Sequence, residues 1–239
     1  MLAAVPAPTP AVPRPSSTVI LLGEPRDDET PFSVLLLERH GSIAFPGATA
    51  FPGGGVDPGD ADAPGARLPA TQRWAPPGEG DRPPEALAYW VAALRELLEE
   101  TGLLLAARDG RLLEGPLTPE LAALRARVAA GEPFGRVLAA AGLVPATEAL
   151  FYFARWITPV TNPRRWDTRF LVGRLPAGQE PVADGTETVS CAWMSPPQGA
   201  VDLWFRAGDD GQGARFSPQC KSGNDLAYLP GARCALIPG

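Results

Sequence analysis

What this chain lacks narrows its chemistry before any motif is read. Its 239 residues include one histidine, His40, and one lysine, Lys221. A nucleophile activated by histidine would rest on His40 alone, and a histidine at a strand end is more often structural. The formal charge of −6 leaves no basic surplus, which argues against a general nucleic-acid binder. The three cysteines, Cys191, Cys220 and Cys234, are odd in number and show no metal-ligand spacing, which favours reduced, structural or incidental thiols. No apolar run approaches the length of a transmembrane helix. Residues 1–17 carry Pro6, Pro8, Pro10, Pro13 and Pro15, without the basic start and apolar core of a signal peptide. They read as a flexible tail, and the expected location is the cytoplasm, with neither membrane nor nucleic acid as partner.

What is present describes a soluble globular protein, 45% apolar and 20% charged. Thr18 to Leu22 and Ser33 to Glu38 are strand-length aliphatic runs separated by turn-like residues, and they read as a hairpin buried in a sheet. Ala48 to Phe51, Phe151 to Ile157, Thr168 to Val172 and Cys191 to Met194 read as further strands. Residues 61–83 are rich in proline and glycine and read as a surface excursion covering one side of a site. Pro119 to Ala130 and Phe134 to Ala141 read as two short helices within an accessory region, residues 117–142. Strands and helices without regular β-α alternation predict an α+β or mixed-sheet sandwich fold. The domain would span residues 18–196. Beyond it, 197–239 is of uncertain structure, with Asp209 to Gly213 and Leu229 to Gly239 reading as loop.

Pro84 to Leu105 has the period of an amphipathic helix, with Leu87, Trp90, Val91, Leu94 and Leu98 on one stripe. Glu96, Glu99 and Glu100 fall at i, i+3 and i+4 on the opposite, solvent-directed face. Arg95 supplies only one positive charge among them, so a hard divalent cation, Mg²⁺ or Mn²⁺, is the natural counter-charge. Gly102 would end the helix as a left-handed cap. Upstream, Phe51 to Asp60 reads as a glycine-rich turn. Its Gly53 and Gly54 let the backbone approach a phosphate or offer a carbonyl to a metal.

Together these two segments resemble the Nudix box: a glycine, five residues and an acid, then R-E-U-x-E-E-x-G-U, where U is aliphatic. Gly54 and Asp60 match the first half, with Asp in place of the usual Glu, and Arg95 to Leu103 match the second half throughout. The spacer from Ala61 to Leu94 is far longer than the family's usual one. Trp156 to Pro159 and Arg164 to Phe170 are similar to the W-x-T-P…R-R-[FW]-D-T-x-F segment of one Nudix branch. That branch includes the peroxisomal coenzyme A diphosphatases and bacterial relatives, and it shares the long insertion. The ending Ile237-Pro238-Gly239 lacks a peroxisomal signal.

The resemblance implies an α/β/α sandwich with a mixed sheet, extra helices and a long loop insertion. It also implies a Mg²⁺- or Mn²⁺-dependent hydrolase of a small-molecule diphosphate. Glu99 and Glu100 would be the principal metal ligands and the Gly53 carbonyl a further one, with Glu96 a ligand or orienting base and Arg95 positioning the glutamates. A further catalytic carboxylate is expected from a loop outside the box. Glu187 is the candidate, with Asp167 its rival. Arg164 and Arg165 suit a phosphate clamp, since guanidinium forks match phosphate oxygens; the bland alternative is an ion pair with Asp167. Trp156, Trp166, Phe151 and Tyr152 are aromatics more at home in a core than on a base. The expected substrate is coenzyme A or its acyl esters. Dinucleoside polyphosphates, ADP-ribose, nucleotide sugars or NAD(H) are the runners-up, and a non-catalytic Nudix-fold sensor is a third class.

Overall fold

A ten-residue strand, β1 (Arg14–Gly23), is the first strand of the computed structural model; it pairs with β9 on one side and with β4 and β2 on the other. The structure describes residues 11–26, 30–38, 49–68 and 85–196, together with the backbone of 39, 204–206, 213–220 and 234–238. His40 and residues 69–83 of the expected excursion lie outside this set. After β1 come β2 (Ser33–Arg39), β3 (Thr49–Ala50), β4 (Gly53–Gly55) and a 3₁₀ turn at Pro58–Ala61. The long helix α1 (Ala86–Thr101) is followed by β5 (Ala106–Arg108) and β6 (Arg111–Leu112). Three short helices follow: α2 (Pro119–Ala122), α3 (Leu124–Ala129) and α4 (Phe134–Ala140). The chain then runs through β7 (Val144–Pro145), β8 (Leu150–Ile157), β9 (Trp166–Arg174) and β10 (Thr188–Met194).

The main sheet has the order β10-β2-β1-β9-β8, with β3 beside β2 and β4 beside β1. The β1–β9 pairing is parallel and the other pairings are antiparallel, so the sheet is mixed. On β1 the residues of one face, Ser17, Val19 and Leu21, are fully buried, as the two-residue period of a pleated strand requires. Val19 and Leu21 meet Leu35 and Leu37 of β2, Leu171 of β9 and the apolar side of α1 in one core. Trp90, Val91, Leu94, Leu97 and Leu98 fill its centre, and Leu124, Val128, Phe134 and Val137 of α3 and α4 close it. The Trp90 indole N–H donates to the Leu150 carbonyl at 3.2 Å, so the largest buried side chain leaves no orphan donor. This is the α+β architecture with a mixed sheet that was expected from the sequence. Among the described residues no helix is long and apolar enough to cross a membrane.

Several boundaries move. β1 starts at Arg14, so 14–17 belong to the sheet rather than to a tail, because the parallel register Arg14↔Trp166 gives them a partner. The first accessory helix is broken at Ala123 into α2 and α3. A small second sheet, β6-β5-β7, follows α1 where no strand was expected, its members being two or three residues long. The C-terminal segment contains β11 (Trp204–Arg206), β12 (Gly213–Cys220) and β13 (Cys234–Pro238), paired antiparallel as β11-β12-β13. The loop reading is thereby corrected at residues 213 and 234–238. Their apolar runs are too short to show a period, and the strand is set by a partner distant in sequence.

The start of the insertion is not a mere surface excursion. Ala63, Ala66 and Leu68 pack against the core, and Thr147 Oγ1 donates to the Arg67 carbonyl at 2.5 Å. Gly135 of α4 makes this possible: a Cβ there would lie 2.5 Å from Ala63 Cα and 2.6 Å from the Asp62 carbonyl oxygen. Alanine at position 135 adds helix propensity worth up to about 1 kcal/mol. The backbone overlap costs about 1–3 kcal/mol and wins. Gly135→Ala should therefore lower the urea midpoint; a raised midpoint would mean that residues 62–63 do not rest on α4.

Candidate active site

The last two turns of α1 face the outer edge of β4. The expected glycine turn is in fact a short strand, in register with β1 at Ser16↔Gly55, Ser17↔Gly54 and Thr18↔Gly53. Two of the groups of β4 that point away from β1 are taken by α1. The Gly53 N–H donates to Glu100 Oε2 at 2.9 Å, and the Gly55 carbonyl accepts from Arg95 Nη2 at 2.7 Å. Side chains would forbid this approach. A Cβ on Gly54 would overlap the Glu96 carboxylate, and one on Gly53 would lie 2.5 Å from the Ser17 carbonyl oxygen. Glycine is needed here for contact distance. Gly102 closes the helix in the left-handed conformation, φ 71°, with its N–H donating to the Leu98 carbonyl.

Arg95 joins everything around it. Its Nε and Nη2 donate to the two oxygens of Asp60 at 2.9 and 3.1 Å, a bidentate fork. Its Nη1 donates to Glu96 Oε1 at 2.9 Å and to Glu99 Oε2 at 2.8 Å. Asp57 stands 3.7 Å away, largely exposed. Asp60, 2% exposed, also accepts the Asp57 N–H at 2.8 Å, which closes the 3₁₀ turn. Asp therefore does the structural work of the usual Glu.

The acidic face is not solvated, contrary to expectation. Glu100 is buried, and the side chains of Glu96 and Glu99 are 15% and 24% exposed, because β4 and the 3₁₀ turn lie over them. Burial pushes the Glu96 carboxyl up to about 7 against the pull of Arg95. Burial also raises Glu99 and Asp60, again opposed by Arg95. Burial works against the Arg95 charge, yet Asp60, Glu96 and Glu99 outweigh it and hold its pKa above the ordinary value.

The donor set is hard oxygen throughout, and its negative charge exceeds that of the guanidinium, which suits a divalent cation. Glu96 Oε2 and Glu99 Oε1 have no hydrogen-bond partner among the described residues. Among those residues no three acids, histidines or cysteines converge on a common point as a formed metal nest. Arg95 Nη1 bridges Glu96 and Glu99 instead, so these two would share their oxygens between the guanidinium and an ion.

The remaining candidates are dispersed. Glu187 is exposed in the loop before β10, its N–H and those of Thr186 and Thr188 donating to the Asp184 carboxylate. Arg164 is exposed. Arg165 is not free to clamp a phosphate: Nε donates to the Thr158 carbonyl at 2.9 Å and Nη1 to the Ala11 carbonyl at 2.7 Å. The ion pair imagined between these arginines and Asp167 is replaced by another. Asp167 binds Arg155 through Nε and Nη2, both at 2.8 Å, and also pairs with Arg169. Arg169 is buried, with its guanidinium 4.8 Å from the Tyr89 ring centre. Trp166 is 40% exposed, more open than a core aromatic. Arg155 and Arg169 were not among the residues expected from the sequence, since only the β8–β9 register sets them beside each other and Asp167, and Tyr89 joins them from α1.

The family model of the NUDT19 Nudix domain matches residues 64–207, more than half of the chain. Acyl-coenzyme A diphosphatase NUDT19 of Gallus gallus is 33% identical over 133 residues, 48% of this chain and 35% of that protein. The Homo sapiens protein of the same name is 34% identical over 128 residues, 48% of this chain and 34% of that protein. The match thus spans about a third of the length of these relatives. Among solved structures, a NUDIX hydrolase from Alicyclobacillus acidocaldarius superposes with a TM-score of 0.65 at 28% identity, covering 80% of this chain and 82% of that one.

The Asp167 cluster yields a pH test. Burial raises the Asp167 pKa, but the hydrogen bond from Arg155 and the charges of Arg169 and Arg155 outweigh it and set it below the ordinary 3.8. A carboxyl lowered on folding stabilises the fold fully above its unfolded value, and loses that contribution as pH falls through the folded value. Wild type should therefore exceed Asp167→Asn in urea midpoint at neutral pH, and the gap should shrink below pH 3.8. A gap that stays constant into acid would show that Asp167 carries no such linkage.

Proposed function

The chain belongs to the family of the NUDT19 Nudix domain, and from that premise we propose that it hydrolyses the pyrophosphate of coenzyme A or acyl-coenzyme A with Mg²⁺ or Mn²⁺. One observation carries the reading: Glu96, Glu99 and Glu100 are gathered with Arg95 against the edge of a glycine strand that side chains could not approach. The relatives named acyl-coenzyme A diphosphatase support the choice of substrate.

The reaction adds water to one phosphorus and releases the bridging oxygen with the other phosphate, giving 3′,5′-ADP and a 4′-phosphopantetheine. Negative charge crowds the phosphoryl oxygens in the transition state, so positioning and electrostatics supply the acceleration. A bound divalent cation would supply Lewis acidity and lower the pKa of the attacking water. Glu99, Glu100 and Glu96 would hold it. The Gly53 carbonyl would assist, since in an extended strand it points to the same side as the N–H that serves Glu100. Arg95, clamped by Asp60, fixes the rotamers of Glu96 and Glu99. Glu187 would receive the water's proton. Its loop is tied to the end of α1 by the Val182 N–H, which donates to the Thr101 carbonyl at 2.7 Å. Arg164 is the exposed arginine left for the 3′-phosphate, since Arg165 is engaged on backbone.

Glu99→Gln and Glu100→Gln should each cut turnover by about 10²-fold or more, with the circular dichroism spectrum unchanged. Normal turnover in both would remove the metal-site assignment. A chelator should abolish activity and added Mn²⁺ restore it. Chromatography of the reaction should show 3′,5′-ADP and the phosphopantetheine. Brisk cleavage of ADP-ribose or a dinucleoside polyphosphate, with coenzyme A untouched, would move the substrate and leave the centre in place.

A further inference from the structure

Arg125 stands on α3, and its guanidinium reaches the end of α1. Nε and Nη2 donate to the Glu99 carbonyl at 2.9 and 2.8 Å, and Nη1 donates to the Val182 carbonyl at 2.9 Å. That Glu99 carbonyl belongs to the last turn of the helix, where partial negative charge collects and intrahelical donors run out. The donor four residues on, the Leu103 N–H, is spent on Thr101 Oγ1 at 3.2 Å. Gly102 leaves room for the guanidinium, since a Cβ there would lie 3.2 Å from Arg125 Nη1. Val182 is thus attached to the helix end twice, through its own N–H on Thr101 and through Arg125. Two residues later Asp184 gathers the N–H groups of Thr186, Glu187 and Thr188 and shapes the loop into β10.

We infer that Arg125 is a positioning residue, which fixes the Glu99 turn of α1 and the 182–188 loop relative to one another. The helix carboxylates and Glu187 are then presented to one substrate in a constant relation. The inference rests on the site assigned above and goes beyond it by giving the accessory helices a part in turnover. Each of its three guanidinium nitrogens donates to a backbone carbonyl, so Arg125 acts through the helix end and the loop.

The test compares Arg125→Met, Arg125→Lys and Val128→Ala. Val128 lies on the same helix and is buried in the core, so its truncation destabilises α3 without breaking the clamp. In Arg125→Met, hydrogen exchange at the amides of 186–188 should quicken about 10-fold. Turnover should fall about 10- to 100-fold with KM nearly unchanged, and Mn²⁺ should bind the free protein more weakly. Arg125→Lys should recover part of each, and Val128→Ala should leave all three at wild type despite a lower melting temperature. Wild-type exchange and turnover in Arg125→Met would overturn the inference, as would Val128→Ala behaving in the same way as Arg125→Met. If Arg125→Met does not fold, Arg125→Lys against Val128→Ala makes the same decision. If the wild type hydrolyses no diphosphate, the site's reading falls, and the exchange comparison alone still decides whether Arg125 holds the loop.

Discussion

The buried guanidinium of Arg95 is the interaction on which the site depends. It touches the 3₁₀ turn through Asp60, strand β4 through the Gly55 carbonyl, and its own helix through Glu96 and Glu99. A buried cation without partners is expensive, and so is a buried carboxylate, so each makes the other tolerable. The bidentate fork to Asp60 is the structural half of this arrangement. The two bonds from Nη1 hold Glu96 and Glu99 in place while leaving a second oxygen on each. One positive charge cannot neutralise Asp60, Glu96 and Glu99 together, with Asp57 nearby and Glu100 on Gly53. The surplus is what makes a hard divalent cation the natural completion of the cluster.

Much of this was legible in the sequence because it is local. The apolar stripe of α1, its end at Gly102 and the spacing of Arg95, Glu96, Glu99 and Glu100 depend on a period of 3.6 residues and a left-handed cap. The hairpin of β1 and β2 and the strands β8, β9 and β10 could be read from aliphatic and aromatic runs. What could not be read was set by partners far away in the chain. Gly53-Gly54-Gly55 has the composition of a turn and becomes a strand only because β1 pairs with it. The acidic face of α1 looks solvent-directed on a helical wheel and is covered because β4 lies over it. Arg165 has the look of a phosphate ligand until Thr158 and Ala11 are found against it, and no local signal marks Arg125 at all.

The long insertion is the departure from the family pattern that most needs a physical account. It separates Asp60 from Arg95, yet those two side chains meet as a bidentate pair. The entropy of closing a loop grows only with the logarithm of its length, each doubling costing about 0.6 kcal/mol. A longer spacer is therefore cheap, provided that its ends are fixed and its backbone polar groups are satisfied. The first requirement is met by Arg95 itself. At the start of the insertion Thr147, just ahead of β8, satisfies the Arg67 carbonyl, while in the accessory region Arg136 pairs with the Asp62 side chain at 2.7 Å and Gly135 admits the backbone of residues 62–63. The same short helices also supply Arg125 to the other end of α1. Insertion and accessory helices are thus one elaboration rather than two. Removing the helices would strip partners from residues 62–63 and from the Glu99 carbonyl together.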